Sequence, residues 1–310
     1  MPSIPYASLG FVGFVQFETN PTFGVRATSC DLKLSQAIEK PEVVTGKFDR
    51  TVYKLGPKEV GGAVAFPAVL ETVGGGTTQI MDKLWELAVF RSEDGRLTDF
   101  DAAVKYTASN ATFRFEDCMI NSFKWSVTQG DLVNVETDII GRKRNLITLS
   151  PPTYDTRNTR AATWADVDIT VALSTGGTMT GEWIRSFEST INNNVERFYT
   201  CNGELNPQDI APKMREITGS MTLMGRNPVM GQFAEDNQNR CNEDNSIRFG
   251  YQVTNNLCNA TWFKKFCGVV FEIETMSLSN DIVESSINWH ALPGGAAGEM
   301  FDGDASCDWT

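Results

Sequence analysis

Ile217-Thr218-Gly219-Ser220-Met221-Thr222-Leu223 sets the fold class of this chain. Apolar or small residues alternate with hydroxyl residues, and period two with one apolar face marks a strand half-buried against a core. The same alternation places Phe113 and Phe115 between Thr112, Arg114 and Glu116. It recurs at Val133, Val135 and Ile139 between Asn134, Glu136 and Asp138, and at Phe271 and Ile273 beside Glu272 and Glu274. Gln129-Gly130-Asp131 and Ser279-Asn280-Asp281 stand between such runs as hairpin turns do. The chain is therefore expected to be mainly β.

That opening strand has a counterpart. Val60-Gly61-Gly62-Ala63 aligns with Ile217-Thr218-Gly219-Ser220, and in the same register Leu34-Ser35-Gln36-Ala37-Ile38-Glu39 aligns with Ile191-Asn192-Asn193-Asn194-Val195-Glu196. Between the two lie stretches of equal length, Pro41 to Glu59 and Phe198 to Glu216, both expected to be loops. Gln129-Gly130-Asp131-Leu132-Val133 then aligns with Ser279-Asn280-Asp281-Ile282-Val283, in the same order along each half. Ordered self-similarity of this kind reads as an internal duplication.

Each half also offers one helix after its glycine-marked strand. The first spans about Thr78 to Phe90, with Ile80, Leu84, Leu87 and Val89 on one side. The second spans about Pro228 to Asn239, where Pro228 suits a first turn. The expected architecture is mainly β (α+β), with two tandem antiparallel β-sandwich or barrel modules over 1–150 and 164–292. A polar, proline-containing linker joins them from about Leu149 to Thr163. Residues 293–310, Gly/Ala-rich and then acidic, read as a mobile or late-ordering tail.

Composition narrows the function. The 310 residues carry a net charge of −12, most of it in the second half. A protein that grips a phosphate backbone needs a basic surface, so this one is expected to repel DNA or let it slide past. Arg142-Lys143-Arg144 is the compact basic run, read as a solvated face or a subunit contact. No run approaches the roughly 18 apolar residues of a membrane span, and the N-terminus lacks a basic leader, which predicts a cytoplasmic start. The seven cysteines are odd in number and form no C-x-x-C, so free thiols are expected. The alternative is a disulfide between subunits, with Cys307 as its candidate.

Reactive constellations are absent from the sequence. The lone His290 stands beside Trp289, and no G-x-S-x-G elbow or P-loop occurs. Asp99 with Asp101, and Glu243 with Asp244, read as solvated turn carboxylates rather than a dyad or calcium site. Trp164, Trp183, Trp262 and Trp289 read as core residues. The chain is expected to have no cofactor and no enzymatic activity.

The stretch from Arg185 through Asn192-Asn193-Asn194-Val195-Glu196, then Asn206-Pro207-Gln208-Asp209-Ile210, then Ile217 to Leu223, resembles the tail tube proteins of tailed bacteriophages. The hairpin around Ser279 to Ser286 is of the same kind, and in the first half Glu39, Val52-Tyr53 and Gly62 occupy the matching places. The resemblance implies a structural virion protein whose modules form rings that stack into a hollow tube, assembled in the host cytoplasm. Six modules complete a ring. A duplicated chain would do so as a trimer imitating a hexamer, with six full chains as the alternative. The implied partners are further copies of the chain and a tape-measure protein. Sheath, terminator and baseplate proteins are further candidates, and DNA passes without specific binding or any membrane.

Within that reading the candidate ring-stacking loops are Pro41 to Pro57, with Lys47 and Asp49, and Tyr199 to Pro212, with Asn206, Pro207 and Asp209. Edge strands can pair with the next subunit and close the sheet. Glu136, Asp138, Glu272 and Glu274 are candidates for the lumen or the outer wall. The alternatives are a terminator, hub or baseplate ring of related fold, or a carbohydrate-binding module at a tail tip.

Overall fold

Residues 111–128 form a strand of 18 residues, and the rest of the molecule is arranged around it. The computed structural model describes residues 12–19, 22–39, 54–68, 79–92, 94–106, 111–149, 161–172, 178–180, 184–224, 246–254, 259–272, 275–279 and 282–291. The first half holds β1 (Val12–Glu18), β2 (Phe23–Val25), β3 (Ser29–Cys30), β4 (Lys33–Glu39) and β5 (Lys54–Pro67). It continues with helix α1 (Ile80–Val89), β6 (Phe100–Tyr106), β7 (Ala111–Thr128), β8 (Asn134–Gly141) and β9 (Lys143–Ile147). The second half holds β10 (Val167–Ala172), β11 (Thr178–Thr180), β12 (Ile184–Asn192), β13 (Glu196–Phe198), β14 (Asp209–Ala211) and β15 (Glu216–Met224). It ends with β16 (Ser246–Thr254), β17 (Asn259–Cys267), β18 (Val269–Phe271), β19 (Thr275–Ser279) and β20 (Ile282–Ala291). The protein is mainly β, with large antiparallel sheets, as its alternating pattern predicts.

β7 belongs to two layers. Its first half pairs with β6 and β9, its second half with β8 and β12. The register slips between Ile120 and Ser122, where the strand passes from one layer to the other. The larger layer runs β4-β5-β8-β7-β12-β15-β20-β19, every neighbour antiparallel. Behind it lie β2-β1-β6, continuing into β7, and the separate sheet β11-β10-β16-β17.

The core sits between these layers. Phe123, Trp125, Phe187 and Trp289 point inward from the large layer, and the last three meet Phe249, Trp262 and Phe266 of the second sheet. Ring centroids lie 5.2 Å apart for Trp125 and Phe249, 5.3 Å for Phe187 and Phe249, and 5.5 Å for Phe266 and Trp289. Each such side chain contributes about 1.5–3 kcal/mol when fully buried.

α1 falls where its apolar periodicity places it. It buries Met81, Trp85 and Ala88 as well as Ile80, Leu84, Leu87 and Val89, because it is wedged between halves. Trp85 packs edge-on to Phe123 of β7 and to Trp262 of β17, and Lys264 reaches Asp82 at 3.0 Å.

The halves are paired alike. Leu34 opposes Val60 as Ile191 opposes Ile217. Val64 opposes Thr137 as Met221 opposes Ile287, and Ile120 opposes Ile139 as Phe271 opposes Trp289. The strand order β4-β5-β8-β7 therefore has its parallel in β12-β15-β20-β18/β19, and the two series join edge to edge through β7 and β12.

Three expectations change. Pro41 to Glu59 is not all loop: β5 begins at Lys54, and Leu55 opposes Ile38. The alternation is hidden there because the register shifts between Gln36 and Ile38, opposite Gly56 and Pro57, where a proline without an N–H is tolerated. Phe198 to Glu216 contains the β13–β14 hairpin. Trp164 is not a core residue; it lies exposed on a short 3-10 turn outside both layers. Trp183, the second predicted helix, most of the linker and the tail from 293 lie outside the described residues.

Candidate functional site

One face of the large layer is apolar and covered; the other is polar and continuous across both halves. Thr128, Ser186, Thr222 and Ser286 form one row across β7, β12, β15 and β20, with Thr275 at the same register position. The next row reads Asn134, Ser126, Glu188, Ser220 and Asn288. Glu272 extends it, its N–H donating to the Asn288 carbonyl. A third row reads Ala65, Glu136, Lys124, Thr190, Thr218 and His290, and a fourth Ala63, Asp138, Ser122, Asn192 and Glu216. Period two forces this outcome: with Val135, Thr137, Trp125, Phe187, Met221 and Ile287 turned inward, every intervening residue must face out.

The face carries more acid than base. Glu136, Asp138, Glu188, Glu216, Glu272 and Glu284 outnumber Lys124 and Arg185. Lys124 and Glu188 pair at 2.7 Å across the β7·β12 junction, and Arg185 pairs with Glu284. Asn121 donates to Asp138 at 2.7 Å. Glu272 lies 2.9 Å from His290 Nε2 and accepts from Asn288, and these hydrogen bonds hold its carboxyl below the usual range. Glu136, Asp138 and Glu272 thus share one surface; Glu274 lies outside the described residues.

Above the junction, Asn193 is fully buried and satisfied on every side. Its amide donates to the carbonyls of Ala88 at 2.9 Å and Ile120 at 3.0 Å, and its oxygen accepts from Arg215 and Arg91. Arg215 also bonds the Val89 carbonyl, so the C-terminus of α1 is capped from the other half. Burial, with Arg91 close by, pushes Arg215 down to about 10. The sequence marks Asn193 as a turn residue; nothing local announces its part in holding the helix.

The hairpin β13–β14 leans back onto the first half. Tyr199 donates its hydroxyl to the Lys58 carbonyl at 2.8 Å, and the Lys58 N–H donates to Leu205. Pro207 accepts from Arg142, and Asp209 pairs with Arg96 at 2.7 Å. Asn206 is half-buried beside them. Leu97, Met119, Ile140, Val195 and Ile210 form a small core beneath. Pro57 stands in β5, exposed. Pro41, Lys47, Asp49 and Cys307 lie outside the described residues. The basic run is engaged within the fold: Arg142 pairs with Asp117 and Arg144 lies over the Phe113 ring. Cys30, Cys118 and Cys201 are free thiols. Among the described residues no cluster of His, Cys, Asp and Glu could hold a metal ion, and no helix is long and apolar enough to cross a membrane.

A family model described as phage tail tube protein matches residues 7–224, well over half of the chain. The chain belongs to that family. The matched span runs from ahead of β1 to the end of β15 and takes in the β7·β12 junction. No curated protein matches the chain. As a tail tube protein it is a structural component of the phage virion tail, and its sheets suit that role. The polar face is one continuous strand surface, and its end strands β4 and β19 pair on one side each among the described residues.

Proposed function

We propose that the chain is a duplicated, non-enzymatic tube protein, that three copies close one ring, and that the polar face lines the channel. The observation that carries this reading is the internal β7·β12 junction between two series that share the same strand order and matching pairs. Within the chain, the last strand of the first series pairs with the first strand of the second. The same rule between chains pairs β19 of one protomer with β4 of the next. Carrying the register of Lys124 opposite Thr190 to the matching positions sets Thr275 opposite Lys33.

Edge strands are aggregation hazards unless paired or covered, and a ring removes them. The channel wall is then rich in hydroxyls and carboxylates, which gives the DNA backbone little to hold and repels it at short range. Rings stack into a tube around a tape-measure protein, and DNA later passes through the bore during ejection. The β13–β14 hairpin remains a candidate for contact between rings.

The experiment is a double variant, Lys33→Cys with Thr275→Cys, oxidised after assembly and compared with each single variant. Covalent closed trimers specific to the double variant are the expected result. Covalent hexamers would retain the tube and sink the trimer. Rings that form but never cross-link would move the contact away from β4 and β19.

A further inference from the structure

We propose that stacking of rings depends on a knob, Met214, entering a pocket beside Trp164 on the next ring; this rests on the proposed tube function. Met214 precedes β15 and is 81% exposed, the most exposed of the large apolar side chains described. It stands at the end of the junction where β12 finishes, next to Asn194 and Val195. At the opposite end of the same strands lies a pocket of about 280 Å³. Val127 at the end of β7, Ile184 and Phe187 at the start of β12, Met224 at the end of β15, and Ile169 and Trp164 line it. Knob and pocket therefore sit at opposite ends of β12 and β15, so a shift along those strands brings one toward the other.

Charge runs the same way. Around Met214, Arg91 and Arg215 are bonded to carbonyls and to Asn193 rather than to a carboxylate, while Lys213 is paired with Glu196 at 2.7 Å. Arg185, which lines the pocket, is paired with Glu284, and exposed Asp131, whose carbonyl accepts the N–H of the lining Trp164, has no cationic partner among the described residues. A thioether is flexible enough to fill an irregular apolar site. A knob and a pocket at opposite ends of one subunit make a head-to-tail contact, which does not close on itself but propagates as a filament.

The test compares the parent chain with Met214→Glu and Met214→Leu, by mass photometry for rings and negative-stain microscopy for tubes. Met214→Glu is expected to give rings of parental mass that fail to stack, at least a tenfold drop in tube length, while Met214→Leu retains tubes. Parental tubes from Met214→Glu would overturn the proposal. Loss of rings as well would also overturn it, by placing Met214 inside the ring rather than between rings. A parent chain that forms neither rings nor tubes would sink the tube reading itself, and this contact with it.

Discussion

The series β4-β5-β8 and β12-β15-β20 share one pairing scheme and almost none of its filling. Ile139 opposes Gly62 in the first; Trp289 opposes Gly219 in the second. Both glycines are needed, for different reasons. Gly62 has φ +148, and a Cβ there would stand 2.5 Å from the Asp31 carbonyl. At Gly219 a Cβ would stand 2.2 Å from both the Trp289 ring and the Glu188 carbonyl. Gln36 makes one side-chain bond, to Gly56, where Asn193 at the matching place anchors a buried network. Backbone ladders accept any side chain that tolerates the extended conformation, so one pairing scheme supports two different packings. The second series carries the inward aromatics Phe187 and Trp289, while the ring contacts between halves run mainly from Trp85 and Trp125 to β16 and β17.

Mutation can test this contrast, and the steepest loss is expected at Asn193. Asn193→Ala leaves two arginines and two buried carbonyls short of partners, and is expected to cost about 3 kcal/mol or more in urea unfolding. Gly219→Ala is expected to cost about 1–3 kcal/mol by overpacking, and Trp289→Leu in the same chain should recover part of the lost midpoint. No recovery would mean that the Glu188 carbonyl, not the indole, sets the limit. Gln36→Ala is expected to cost only about 0.5–1 kcal/mol, as one half-buried neutral hydrogen bond does. A loss equal to that of Asn193→Ala would erase the distinction between the series. The Lys124–Glu188 pair is partly exposed, so Lys124→Ala should cost less than about 1 kcal/mol and lose its effect at high salt. A salt-independent loss would point to packing of the lysine stem instead.

Much of the fold is legible in the residues themselves. Ile217 to Leu223, Val133 to Ile139 and Phe113 with Phe115 are strands because alternation is a local property, and α1 follows from apolar spacing. The start of β5 is not legible, because Gly56 and Pro57 interrupt the alternation while the backbone continues past an irregular register. Trp164 misleads, since composition does not say which tryptophan has a layer to pack against. Of the surface acids, Glu136 and Asp138 are legible as one face of a strand, but their continuity with Glu188 and Glu272 is not.

Local pattern thus suffices to say that the chain is β-rich, that two segments of it align in order, and where its turns and first helix lie. Those properties depend on neighbours a few residues apart. Only the folded arrangement of strands makes β7 serve two layers and join β12, and sets Asn193 to cap a helix more than 100 residues away. The same arrangement merges four rows of hydroxyls and acids into one face. Each depends on which distant strands pair, and a strand's own alternation is the same whichever neighbour it meets.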